Sequence, residues 1–217
     1  MSIPGGKGGP GEGMGNGLLR SKAEKRGMEG LIVFITEVFL SDSTLLAETT
    51  FFVLGFYSEN FAYPTFAPVE IPGAGQYVQL LCTPGDTPIL GLGHARTSIG
   101  LFVKAILEHP EKKTGGKTVS AFMQQTAPEK LLLSWAKVNG KKALYVEVNI
   151  ETFTALWTIT GVDMLAKMME FHRYMDKNPW AGSENILTKD DLSVEGLLSV
   201  EESFEVLKSQ MCCFKSC

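Results

Sequence analysis

Few segments of this chain hold side chains whose type and spacing could carry chemistry. The richest is the run Gly-Phe-Tyr-Ser-Glu-Asn-Phe at residues 55–61. Asn60 lies among aromatic residues in this run, and a polar amide in such surroundings needs hydrogen-bond partners. This favours a binding role for Asn60. Phe56, Tyr57 and Phe61 are equally consistent with ordinary core aromatics.

His94 lies in a glycine-rich loop before a predicted helix, and its ordinary pKa is the one nearest neutrality. The sequence assigns no acid or nucleophile to it as a partner, so we expect a solvated loop histidine. Ser98 can cap the helix that follows, because a serine hydroxyl accepts hydrogen bonds from the free N–H groups of a helix start.

The cysteines are Cys82, Cys212, Cys213 and Cys217. Three of them lie together at the end of the chain, yet they form no C-x-x-C pair and have no matching histidine cluster. We therefore expect free thiols and no metal site.

The composition is that of a globular protein, with 44% hydrophobic and 20% charged residues among 217. A net charge of −4 without a basic stripe argues against a nucleic-acid partner. The most apolar region, residues 31–56, is interrupted by Glu37, Asp42 and Glu48, so it lacks the ~20 apolar residues that span a bilayer. The first residues lack the apolar core of a signal peptide, so we expect a cytoplasmic location and no membrane partner.

Residues 1–20 form a glycine-rich leader that we expect to be disordered, because it cannot bury enough apolar surface to offset its chain entropy. Residues 6–11 match the spacing G-x-G-x-x-G, but a dinucleotide loop also requires a strand before it and a helix after it. Residues 116–118 are similar to the end of a P-loop, but the first glycine of that motif would fall at Glu111. Neither match predicts a phosphate site.

The most consistent unit covers residues 98–148 and predicts helix, strand, helix and strand. Apolar residues at helical spacing precede Pro110, which ends the first helix. A capping-box pattern from Thr126 predicts the start of the second helix, and Gly140 ends it. A second capping box at Ser199 predicts a last short helix. This alternation of helix and strand predicts an α/β fold.

The remaining elements are predicted with simpler patterns. Residues 49–54 and 76–82 favour strands, and residues 31–40 form an apolar run that favours a strand over a helix. Residues 151–157 and 162–175 predict helices. The methionine-rich face of the second is typical of a core rather than of a cofactor site.

The order LFVKAILEHPEK, GGKTV, TAPEKLLLSWAKVNGKKALYVEV resembles the carboxy-terminal half of NmrA-like proteins, an atypical group of short-chain dehydrogenases/reductases. Two further stretches, S-K-A-E at residues 21–24 and the run at 55–61, resemble the same group. The resemblance implies a partial, truncated Rossmann-like parallel sheet with a mostly helical, substrate-side part from about residue 149. It implies an incomplete domain at residues 21–208 and a disordered, cysteine-containing tail at 209–217.

The resemblance also implies roles for individual residues. Lys22 is the counterpart of a lysine that is catalytic or contacts the cofactor in isoflavone-reductase-like relatives, although a solvated lysine is the alternative. Gly55 would border the cofactor, which is NADP or NAD by resemblance. The substrate-binding residues would be Phe56, Tyr57, Asn60 and Phe61. They follow a strand, at the end where open α/β sheets bind ligands.

The first half of the family's fold, with its glycine fingerprint, has no counterpart in this sequence. Pyrophosphate binding depends on the free N–H groups at the first helix of that half. We therefore expect weak cofactor binding, or none, from this chain alone. A degenerate paralogue, a chain that works with a partner and a truncated product all remain open.

Three functions are compatible with these observations. The resemblance implies an NAD(P)-dependent oxidoreductase with a small-molecule substrate, of a kind that in fungi often serves secondary-metabolite pathways. A non-catalytic NmrA-like regulator or subunit, binding a protein partner or forming a homo-oligomer, is the first alternative. A cofactor-independent isomerase or cyclase that uses the family's pocket is the second.

Overall fold

The computed structural model describes residues 43–109, 114–174 and 186–215, which form an α/β fold, and the predicted fold class is confirmed. The helices of these residues are Ser43–Glu48 (α1), Ala95–Glu108 (α2), Pro128–Asn139 (α3), Ile150–Leu156 (α4), Val162–Tyr174 (α5) and Val200–Lys215 (α6). The strands are Phe51–Leu54 (β1), Phe56–Tyr57 (β2), Val69–Ile71 (β3), Gln76–Leu81 (β4), Ile89–Gly93 (β5), Thr118–Ala121 (β6), Gln124–Thr126 (β7), Lys142–Glu147 (β8) and Ile186–Leu187 (β9). A 3-10 helix, Ser58–Ala62, follows β2.

The strands form three small sheets within the described part of the chain. In the first, β6 lies between β1 and β9, and both pairings are parallel. In the second, β5 pairs in parallel with β2 and antiparallel with β7. In the third, β4 pairs in parallel with β8 and antiparallel with β3. Parallel neighbours need long crossover connections. Helices lie in the connections of β1 with β6, β4 with β8 and β6 with β9, whereas the 3-10 helix, β3 and β4 lie between β2 and β5.

The helix α2 covers the first sheet through its predicted apolar face. Phe102 of this helix is fully buried and packs in one cluster with Leu92, Val119 and Ala121. Its ring centroid lies 6.1 Å from that of Phe52 in β1. Ile99 and Ile106 of the predicted face pack against the same cluster. Val103 and Leu107, which the apolar spacing also predicted to be buried, are exposed.

Two other clusters fill the space around the second and third sheets. The first joins α3, α6 and the 3-10 helix, and it contains Phe61, Ile89, Leu131, Leu132, Val200, Phe204 and Leu207. The second joins α4 and α5 to β4, and it contains Phe66, Leu81, Cys82, Phe153, Val162, Ala166 and Met169. Met169 is buried, whereas Met168 is exposed, so the methionine-rich face of α5 is partly core.

Two of the predicted helix caps are wrong. The helix α2 begins at Ala95 with His94 as its N-cap, so Ser98 lies inside the helix, where its buried Oγ donates to the carbonyl of Leu92 at 3.0 Å. Thr126 does not cap α3, because it belongs to β7 and pairs with Ile89. The helix itself begins at Pro128, as predicted, with Ala127 as its N-cap and no side-chain capping hydrogen bond.

The third predicted cap is confirmed. The backbone N–H of Ser199 donates to the carboxylate of Glu202 at 2.8 Å, and the N–H of Glu202 donates to Ser199 Oγ at 3.2 Å. The helix α6 that follows continues to Lys215, so the backbone of residues 209–215 is helical where a disordered tail was expected.

Some predictions fall on residues that the structure does not describe. These are the leader at residues 1–20, Lys22 and the apolar run at residues 31–40. Within the described ranges, no helix is both long enough and apolar enough to cross a bilayer.

Candidate functional site

Gly55 is the point at which the chain passes from the first sheet to the second. Its N–H donates to the carbonyl of Ala121 at 3.0 Å. A Cβ at this position would lie 2.6 Å from the carbonyl oxygen of Leu90, closer than real Cβ contacts allow. Glycine is therefore required for the backbone to pass between β5 and β6. This crossing places the following segment at the carboxyl end of β1.

The aromatic residues after Gly55 point into different parts of the molecule. Phe61 is buried, and its ring centroid lies 4.8 Å from that of Phe204 in an edge-to-face contact. Phe56 is half-buried, and its ring centroid is 5.2 Å from that of Phe66. Tyr57 packs against the cluster around Phe102 instead. The structure therefore brings Phe56 and Phe61 to one place and directs Tyr57 elsewhere.

Asn60 lies in the 3-10 helix and is half-buried. Its backbone carbonyl accepts a hydrogen bond from Tyr63 N–H at 3.0 Å. No hydrogen bond of its side-chain amide is formed with the described residues, and Asn60 is not one of the residues that line the cleft beside Phe56. A role in substrate binding remains a prediction for this residue.

A small apolar cleft lies where Phe56 and Phe61 meet. The empty space between its walls is about 210 Å³, part of it open to solvent. Of this space, only enough for about one water molecule lies clear of the walls. The lining residues come from β2, the 3-10 helix, β4, β5, α3 and α5: Phe56, Phe61, Gln79, Leu81, Ile89, Pro128, Leu131 and Met169.

Gln79 is the polar side chain among these lining residues, and the sequence analysis did not select it. It is 1% exposed, in the middle of β4. Its Nε2 donates to the carbonyl of Phe66 at 2.6 Å, while its Oε1 has no hydrogen-bond partner among the described residues. None of the described residues that line the cleft is ionisable.

A second polar group lies at the carboxyl end of β5. His94 is buried, and its Nδ1 accepts a hydrogen bond from the N–H of Thr97 at 3.4 Å. In a neutral ring the proton is then on Nε2, which lies 3.4 Å from Oε1 of Glu59. The expectation of a solvated histidine without a partner is wrong. The acid that the sequence did not assign is Glu59.

The carboxylate of Glu59 also occupies the start of α2. Its two oxygens accept from the N–H of Ala95 at 2.9 and 3.0 Å. Helix N-termini after a strand are the natural place for an anionic phosphate in open α/β folds. Because Glu59 already supplies the negative charge here, this helix start does not fit the pyrophosphate of NAD(P). The described residues therefore offer no pyrophosphate site at this strand end.

Two other titratable side chains of the described interior, Cys82 and Tyr145, donate hydrogen bonds to backbone carbonyls. Burial raises the pKa of the Cys82 thiol, which donates to the carbonyl of Ala166 at 3.7 Å. Burial likewise raises the pKa of Tyr145, whose hydroxyl donates to the carbonyl of Thr83 at 2.6 Å. No group of three or more His, Cys, Asp or Glu side chains in the described part of the chain could hold a metal ion.

A sequence profile of the NmrA-like family matches residues 43–207, which is well over half of the chain. This chain belongs to the NmrA-like family. The match includes the segment from Gly55 to Phe61 and all the residues that line the cleft. Lys22 lies outside both the matched and the described residues, so its role remains a prediction.

Solved structures share the fold of this NmrA-like chain. NmrA, a negative transcriptional regulator solved in complex with NAD, superposes with a TM-score of 0.54 at 18% identity and covers 73% of this chain and 52% of its own. The same regulator in complex with NADP gives the same values. A nucleoside-diphosphate-sugar epimerase from Staphylococcus aureus gives a TM-score of 0.56 at 18% identity. The alignment covers 82% of this chain and 58% of the epimerase.

The chain spans little more than half the length of these solved proteins. Utrophin from Rattus norvegicus is 27% identical over 152 residues, an alignment that covers 58% of this chain and 4% of utrophin. At these identities the solved structures establish the fold.

Proposed function

We propose that this chain is the substrate-side part of an NmrA-like, NAD(P)-linked protein of the oxidoreductase type. The observation that carries the proposal is the position of the apolar cleft. It lies beside the segment that leaves the carboxyl end of β1, the end at which open α/β sheets bind their ligands. Structural neighbours with this fold were solved with NAD and with NADP.

In this proposal the cleft holds the apolar part of a small substrate. Lys22 acts on the cofactor ribose or as the general acid/base, as the family resemblance implies. Gly55 sets the path of the backbone at the substrate's edge. The pyrophosphate of the cofactor binds away from the start of α2, because Glu59 occupies that helix end. The family resemblance extends the proposal to a cytoplasmic protein of fungal secondary metabolism.

The direct test is titration of the purified chain with NADPH, followed by calorimetry. Saturable micromolar binding supports the proposal. The Lys22→Ala variant should then lose turnover of carbonyl substrates, or weaken cofactor binding, while Lys25→Ala, a nearby lysine, should leave both unchanged. Absence of binding at millimolar NADPH would remove the NAD(P)-linked function for this chain.

A second candidate is an NmrA-like regulator that binds NAD(P) or a protein partner without turning over a substrate. The observation that favours it is the absence of an ionisable side chain among the residues that line the cleft, because proton transfer needs such a group. NADPH binding that persists without consumption across a panel of ketones and aldehydes would select this candidate. The isomerase or cyclase alternative needs the same missing group and has no observation in its favour.

A further inference from the structure

The amide of Gln79 has a fixed orientation. Its Nε2 donates to the carbonyl oxygen of Phe66 at 2.6 Å. Rotating the amide by half a turn would bring Oε1 against that carbonyl, and two acceptors without a hydrogen between them repel. The nitrogen is therefore held on the Phe66 side, and Oε1 is the end of this cleft-lining side chain that has no partner among the described residues.

This oxygen is an unusual group to find in such surroundings. It is buried with the rest of the side chain, it has no hydrogen-bond partner among the described residues, and the walls around it are apolar. Buried acceptors are nearly always paired, because leaving one unpaired costs most of its hydration. The hydrogen bond to the Phe66 carbonyl accounts for the Nε2 end of this side chain, but none of the described residues accounts for Oε1.

We propose that Gln79 selects the ligand of the cleft, which is an apolar group that carries one hydrogen-bond donor, a hydroxyl or an N–H. The donor reaches Oε1, and the apolar remainder lies along Phe56 and Leu131 toward the open side. The inference rests on the proposed function in one respect, since it takes this cleft as the substrate's place.

The dimensions of the cleft fit this arrangement. The space that lies clear of the walls accepts a group of about the size of one water molecule, which is the size of a hydroxyl or an amino end. Met169 forms part of the wall, and an unbranched thioether side chain adapts readily to a neighbouring group. A ligand whose charged end entered first would meet no counter-ion, because no lining residue is ionisable.

The test compares two probes of the same shape, phenol and toluene, by ligand-observed and protein-observed NMR titration of the full chain. Phenol carries the donor and toluene does not. We expect phenol to bind about tenfold more tightly, the preference that one buried hydrogen bond supplies. We also expect the side-chain N–H₂ signals of Gln79, but not those of Gln76, to shift on addition of phenol.

Variants separate the acceptor from the shape of the cleft. Gln79→Met keeps the volume and removes Oε1, so the preference for phenol over toluene should disappear. Gln76→Met changes the same residue type at an exposed position of the same strand, and it should keep the preference. The wild-type comparison needs no variant, so it stands even if Gln79→Met fails to fold.

Equal affinities for phenol and toluene in the wild-type chain, or no binding of either, would overturn the inference and leave Oε1 paired with water only. The NADPH titration is independent of these probes. Selective binding of phenol without NADPH binding would leave the role of Gln79 standing and remove the NAD(P)-linked function. NADPH binding without selection of phenol would support the NAD(P)-linked function and remove the proposed role of Gln79.

Discussion

The Nε2 atom of His94 lies 3.4 Å from Oε1 of Glu59, and the two side chains together cap the start of α2. Glu59 comes from the 3-10 helix next to the cleft, whereas His94 follows β5. The pair therefore connects the aromatic segment to the helix that covers the first sheet.

Replacing Glu59 by Gln keeps the size of this cap and removes its negative charge. We expect the free energy of unfolding to fall by about 1 kcal/mol, because a carboxylate at a helix N-terminus is stabilised by the free N–H groups there. Glu108→Gln, an exposed change near the other end of α2, is the control and should alter stability by less than about 0.5 kcal/mol. Urea denaturation measures both. Equal losses in the two variants would contradict a capping role.

Gly55→Ala tests the crossing between the sheets. The added Cβ would meet the carbonyl oxygen of Leu90 at 2.6 Å, so backbone must move, and we expect a loss of about 1–3 kcal/mol. Gly100→Ala places the same methyl group in α2 where nothing lies within 4 Å. There we expect a gain of about 0.5–1 kcal/mol, because alanine has the better helix propensity. The two variants should shift the thermal midpoint in opposite directions.

Tyr145→Phe removes the hydroxyl that donates to the carbonyl of Thr83. We expect a loss of about 1–2 kcal/mol, since an acceptor in a partly buried position then loses its partner. Tyr77→Phe removes an exposed hydroxyl that donates to Glu70 at 3.2 Å and should cost less than about 0.5 kcal/mol. If chemical denaturation gave the same value for both, the Thr83 contact would not be a source of stability.

Glu202 gives the chain an acid-dependent element of stability. Hydrogen bonds from Ser199 lower the pKa of this carboxyl below its ordinary value of 4.5. The folded state therefore releases a proton that the unfolded state keeps, so the contribution is complete above the unfolded pKa and is lost as pH falls through the folded pKa. We expect Glu202→Gln to be less stable than the wild-type chain at pH 7, and the difference to vanish once the pH lies below the folded pKa of Glu202. A difference that stays constant across this pH series would refute the capping assignment.

Sequence patterns correctly predicted the helices, strands and caps that depend on residues close together in the chain. The apolar spacing before Pro110 predicted α2, and the alternation in β8 predicted its strand. The reciprocal cap of Ser199 and Glu202 depends on two residues of one turn, and it was found from sequence. In each of these cases the decisive contacts lie within a few positions along the chain.

The errors arose where a distant strand or side chain decides the outcome. Thr126 matches a capping box, but its pairing with Ile89 keeps it in a strand. His94 belongs to no preferred class of N-cap residue, and its partner Glu59 lies far away in sequence. Gln79 stands between Val78 and Leu80 in β4, so no alternation of polar and apolar residues shows which face of the strand is buried. The hydrogen bond of its amide to Phe66 is therefore not visible in the sequence. Sequence alone could not have located the polar group of the cleft.

The parallel pairing of β4 with β8 has a consequence for the order of folding. It joins segments far apart in the chain, and β5, α2, β6, β7 and α3 all lie within the loop that it closes. Closing a long loop costs entropy before its contacts offset it, whereas α2 and α3 form from local contacts. Sheet closure is therefore expected to be the slow step. The walls of the cleft come from elements on both sides of this closure, so the capacity to bind a ligand is acquired only after this long-range pairing has formed.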